Sequence, residues 1–262
     1  MPHSAEETAA MADAIADWTE RGDKLTTDLM TFPYTQESAR EMAEHGACRR
    51  LRDLSHCARR VWEKIPPDAA TPSRDDIFDA TMFIQAFIVN IYGAIDNLAW
   101  IWTNEKPVLS KDGTALSPFA VGFRPKNKAV RQSVSEETQA FLGGTDEWFW
   151  LLESFRDALA HRVPLYVPFM TLTDEATEEL KAFQEETMAP GWTYERWNDV
   201  MVKAHNLGRF EPLMTHSLFT APRVPFHQQM ICDFATVVAL GELIFADLEK
   251  LKEARDAEEI AQ

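Results

Sequence analysis

The sequence predicts an all-α protein built as a helical bundle. Apolar residues recur at helical spacing in nearly every long segment, alternating β-branched runs are scarce, and proline or glycine breaks separate segments of helix length. With 262 residues, 45% hydrophobic and 26% charged, the chain is long enough to bury a sizeable core. A single helical domain over 1–262 is expected, with its core over about 4–168 and 225–258 and an acidic insertion over about 169–224.

Two long amphipathic helices come first, from about Ser4 to Met30 and from about Gln36 to Lys64. Phe32-Pro33-Tyr34 separates them and Pro66-Pro67 closes the second. A third helix, from about Arg74 to Asn104, is apolar on almost every side between Met82 and Trp102, which suits the centre of a bundle. A membrane span is the competing reading, but Gln85, Asn90, Asp96 and Asn97 interrupt it, and no membrane association is expected. Asp96 then needs a charged or hydrogen-bonding partner, because an unpaired core carboxylate is costly.

Pro107, Gly113, Pro118, Gly122 and Pro125 mark a loop, which either lies over a site or simply connects. Short helices near Lys126–Gln132 and Ser135–Leu142 lead to Gly143-Gly144, and Thr145 or Asp146 caps the next helix. On that helix Trp148, Leu151, Leu152, Phe155, Ala158 and Leu159 share a core face. Phe149, Trp150 and Ala160 lie on the outer side with Arg156, Asp157 and His161, and make that side too apolar to be purely solvated. Beyond Pro164 and Pro168 come acid-rich helical segments around Asp174–Glu186 and Thr193–Ala204. Arg209–Pro225 reads as irregular with a short hairpin, and the last helix, about Pro225–Ala257, rejoins the bundle.

The formal charge of -16 repels polyanions over most of the surface, so any phosphate binding must be local. Two stretches are locally basic. Arg49, Arg50, Arg52, Arg59, Arg60 and Lys64 face only Asp53 and Glu63 in one; Arg124, Lys126, Lys128 and Arg131 form the other. Each is either a solvated helix face or a phosphate site. Three cysteines, Cys48, Cys57 and Cys232, suit a reducing compartment, and the acids within Met1–Glu20 do not suit an export signal, so a cytoplasmic location is expected. His45, Cys48, His56 and Cys57 lack the spacing of a zinc knuckle; no metal and no cofactor are expected.

The chemistry concentrates in Arg156-Asp157-Ala158-Leu159-Ala160-His161, near a helix end stopped by Pro164. A guanidinium holds phosphate, and a histidine moves protons near neutral pH. Asp157 lies one turn from His161 and is placed to orient or charge it, whereas Arg156 sits about 140° from His161 on a helical wheel. The two reach one ligand only across a groove, at a distorted helix end, or in a cleft shared by two subunits. General acid-base work on a ribose hydroxyl and its leaving group is one reading of Arg156, Asp157 and His161. An ion-pair network, with Arg156 neutralising Asp96 in the core, is the other.

The run Phe155-Arg156-Asp157-Ala158-Leu159-Ala160-His161-Arg162-Val163-Pro164-Leu165 resembles the motif helix of the HEPN superfamily, an arginine, a polar residue and then a histidine after three more. Asn90-Ile91-Tyr92-Gly93-Ala94-Ile95-Asp96-Asn97-Leu98 is similar to the central helix of related bacterial HEPN-like proteins, and the likeness covers roughly Ile77–Pro168 and extends to the last helix. The resemblance implies an all-α bundle, a homodimer around the two motif helices, and metal-independent endoribonuclease activity within a toxin or antiphage system. Arg156 and His161 would be the catalytic pair and Asp157 the polar neighbour, with RNA or a nucleotide as ligand and a neutralising protein as partner. A non-catalytic HEPN-fold scaffold that binds a nucleotide or protein is the alternative. Where some family toxins carry a tyrosine two residues after the histidine, this chain has Val163, and Tyr166 does not replace it by spacing.

Overall fold

A computed structural model describes residues 3–217 and 221–261 and shows an all-α protein. Helix α1 (Ala5–Thr31) starts at a reciprocal cap. Ser4 Oγ accepts from the Glu7 amide at 3.2 Å, and the Glu7 carboxylate accepts from the Ser4 amide at 2.8 Å. The predicted second helix is divided into α2 (Glu37–Glu41), a π-helical turn (Met42–Ala47) and α3 (Cys48–Lys64). Local propensity does not distinguish an α-turn from a π-turn, and here the wider turn lies against α4 (Arg74–Glu105). Ser73 caps α4 by accepting from the Asp76 amide at 3.1 Å.

A 3-10 turn (Pro118–Ala120) and the short α5 (Lys128–Arg131) and α6 (Glu136–Gly144) lead to the motif helix α7 (Asp146–His161). Thr145 stands at its N-cap without a side-chain hydrogen bond into the helix, so the expected cap residue is in place but the cap bond is not made. In the insertion, α8 (Asp174–Met188) and α9 (Tyr194–Leu207) pack on each other, and both are capped by threonines, Thr173 and Thr193. Strands β1 (Leu213–Met214) and β2 (Val224–Pro225) form the short antiparallel ribbon of the irregular region, of which 218–220 lie outside the described residues. The chain returns in α10 (Phe226–Ala261).

Helix α3 packs along α4 and α1 along α10, while α4 also meets α10 and α7. Phe87, Ile84, Ile88 and Ile91 of α4, Phe155 of α7, Phe234 of α10 and Leu25 of α1 are almost wholly enclosed. Helix α4 has the length and apolarity of a membrane span, yet much of it is covered by its neighbours. The helix lies centrally as its apolarity suggests, but one strip of it stays open: Phe78, Met82 and Val89 keep 66%, 51% and 50% of their surface. Phe149, expected on the outer side of the motif helix, is buried, with Trp148 edge-on at 5.0 Å and the Arg131 guanidinium over its ring at 5.6 Å.

Candidate functional site

The seam between α4 and α7 gathers the sequence-predicted residues around Tyr92. Tyr92 and Asp96 are four apart on α4, so both face the same side of the helix, one turn apart. From α7, the Arg156 guanidinium lies over the Tyr92 ring at 4.2 Å, within cation–π range. From the loop before α5, Arg124 Nη1 donates to the Tyr92 hydroxyl at 2.7 Å and approaches Glu153 Oε1 at 3.4 Å. Phe155, next to Arg156, is buried beneath, which fixes the helix face.

Arg156 does not pair directly with Asp96; among the described residues its carboxylate partner is Asp157, at 2.9 Å. Asp96 instead lies within the electrostatic reach of Arg124, Arg156, Arg50 and Lys126. Burial pushes its carboxyl above the usual carboxylate range, and those cations only partly oppose the rise. Burial alone would lower the Arg156 pKa, but Tyr92, Asp157 and Glu153 outweigh it and the group is held above its ordinary value, charged at any working pH. Its Nε is buried without a hydrogen-bond partner, and 30% of the side chain remains exposed. Arg124, Arg156 and Lys126 thus meet Asp96, Glu153 and Asp157 in a charge-balanced seam, which is less acidic than the -16 of the whole chain.

His161 is the last residue of α7 and is exposed, with Arg162 following in a non-helical conformation. Asp157, expected to orient it, turns to Arg156, and His161 has no hydrogen bond or ion pair among the described residues. The physical reason is distance along the side chains. The guanidinium next door reaches the carboxylate at once, while the imidazole at the helix end is free to stay in solvent. Within one chain, Arg156 and Asp157 are brought together with Tyr92, and His161 stands apart from them.

Three contributors lay outside the motif. Tyr92 and Arg124 were legible only as a tyrosine in the central-helix string and as part of a basic stretch. Their meeting depends on a fold contact across 32 residues. His216, from the irregular region, has Nε2 3.1 Å from Ser154 Oγ and packs edge-on to Phe155 at 5.2 Å, which ties the insertion to the motif helix. Many other basic residues are ordinary surface pairs: Arg60 with Glu63 at 2.5 Å, Lys64 with Asp79 at 2.6 Å, Lys24 with Asp28 at 2.8 Å. Cys48 and Cys57 are buried, whereas His45 and His56 are exposed and face Arg49 and Arg59. Among the described residues no three His, Cys, Asp or Glu side chains gather to hold a metal ion. No family model, curated protein or solved structure matches the chain.

Proposed function

We propose that this is a HEPN-like protein whose α4–α7 seam acts on RNA as a metal-independent endoribonuclease. The observation that carries the reading is the partly exposed Arg156 guanidinium, held over Tyr92 beside Arg124, on the same helix that ends at the exposed His161. In this reading Arg156 takes the non-bridging oxygens of the scissile phosphate. An imidazole removes the proton of the ribose 2′-hydroxyl, the 2′-oxygen attacks phosphorus, and the bond to the 5′-oxygen breaks as that oxygen is protonated. The products are a 2′,3′-cyclic phosphate and a 5′-hydroxyl. Because His161 stands apart from Arg156 within one chain, the site is completed by a second copy around a two-fold axis. Such an activity needs restraint in a cell, which fits a toxin or antiphage role with a neutralising partner.

A second reading rests on the Arg156–Asp157 pair at 2.9 Å, which engages the guanidinium internally. There the same fold binds a nucleotide or a protein without cleaving anything. Mixed RNA incubated with purified protein under chelator, beside His161→Ala and Arg156→Ala, separates the two. Cleavage by the native chain that falls by about 100-fold or more in each variant supports the enzyme. Cleavage unchanged in both variants, or absent from all three proteins, removes it.

A further inference from the structure

Where the π-helical turn meets α4, an arginine of α3 is oriented by neutral amides rather than by a direct ion pair. Arg50 Nε donates to Asn97 Oδ1 at 3.0 Å and its Nη1 donates to Asn90 Oδ1 at 3.0 Å. Both acceptors are neutral amides, so they fix the plane of the guanidinium without a direct ion pair, while Asp96, beside Asn97 on α4, lies within its electrostatic reach. Its Nη2 makes no hydrogen bond among the described residues. Two glycines clear the space. A Cβ at Gly93 would overlap the Arg50 guanidinium, and one at Gly46 would stand 2.6 Å from Asn97 Nδ2. A plain clamp between two helices is stronger with a carboxylate partner, as at Glu105 and Arg255 elsewhere in this chain.

Asn97 adds a second donor. Arg50 Nε can only donate, so the asparagine oxygen must face it and the amide nitrogen must face away. Among the described residues that nitrogen finds as acceptor only the thioether sulfur of Met42, at 3.5 Å, which is a weak one. Arg49 contributes charge at the mouth, its Nη2 3.2 Å from His45 Nδ1. The cavity bounded by these side chains has a volume of about 390 Å³, within the size range of small-molecule sites. Glu41 and Asp53 also line it, but both are exposed and Asp53 lies 3.9 Å from Arg52, so solvent and a neighbour screen them.

From this geometry we infer that the pocket between the π-helical turn, α3 and α4 binds the terminal phosphate of a nucleotide-sized phosphomonoester. Arg50 Nη2 and Asn97 Nδ2 take phosphate oxygens and Arg49 adds attraction at the entrance. The pocket's donors select an oxyanion over a cation, and its size leaves room for more than the phosphate. The inference is independent of any cleavage at α7.

Calorimetric titration of the full chain with AMP, inorganic phosphate and adenosine at matched ionic strength tests it. Saturable binding of AMP is expected, with weaker binding of phosphate and none of adenosine. Asn97→Asp keeps an acceptor for Arg50 and adds a neutralising carboxylate, so its Tm should hold or rise while AMP affinity falls by about tenfold or more. Should that variant not fold, the exposed Arg49→Gln carries the same test, with a loss of several-fold. Absence of saturable AMP binding to the native chain, adenosine binding as tightly as AMP, or AMP affinity undiminished in the folded variant would overturn the assignment.

Discussion

Asp233 shows how a single residue stores a pH response. Its Oδ1 accepts from Trp148 Nε1 at 2.7 Å and from Gln229 Nε2 at 2.6 Å, yet burial still pushes the carboxyl up to about 6 from an ordinary 3.8. The folded state therefore binds a proton that the unfolded state has released. The stability contributed by this group is intact below about pH 3.8 and is lost as pH rises to about 6. Asp233→Asn keeps the shared acceptor without the charge. Its melting temperature is expected to match the native protein near pH 4 and to exceed it increasingly up to pH 6–7; a constant difference across that range would contradict this. Asp96 was visible in the sequence as a carboxylate in need of partners, because it interrupts an apolar helix. Asp233 was not, since the indole that explains it lies 85 residues away.

At the scale of elements, period and breakers located the helices, and caps such as Ser4, Ser73 and Ser135 stood where polar residues precede an apolar run. What sequence period cannot register is a contact made by the fold. The π-helical turn is one case, and the burial of Phe149 under Arg131 is another. Glu105 is a third. It accepts from the amides of Thr35 and Gln36, each at 2.9 Å, and from Arg255 Nη1 at 2.7 Å, tying the start of α2 and the end of α10 to α4. Burial would raise its pKa, but the hydrogen bonds from Arg255, Gln36 and Thr35 outweigh that and hold it below the usual glutamate value. Its stabilising contribution is present above the unfolded glutamate pKa and is lost as pH falls through the lowered folded value. Glu105→Ala should cost on the order of 2–3 kcal/mol in denaturant unfolding, less than for a wholly buried pair because Arg255 remains 31% exposed; a loss below about 0.5 kcal/mol would contradict the clamp. Phe155→Ala, by emptying a site 1% exposed beneath Arg156, should cost about 3–5 kcal/mol. A folded Phe155→Ala protein with native stability would mean that α7 does not depend on that anchor.

Across the whole molecule, an acidic chain gathers Arg50, Arg124, Arg156 and Lys126 around the single buried carboxylate Asp96 of α4. The all-α bundle was legible because amphipathic period is a property of each segment alone. The convergence of the motif was not, because wheel geometry separates Arg156 from His161 and the observed pairing of Asp157 with Arg156 leaves the histidine apart. A cleft shared by two copies is the arrangement that reconciles this separation with the proposed chemistry. Such a site makes activity a function of association. The decisive measurement is therefore RNA cleavage per chain, under chelator, across a protein concentration series whose oligomeric state is followed by sedimentation. Cleavage per chain should rise with the dimer fraction and level off when dimerisation is complete. Cleavage per chain that is independent of concentration in a strictly monomeric protein, or no cleavage by a fully dimeric one, would contradict the account.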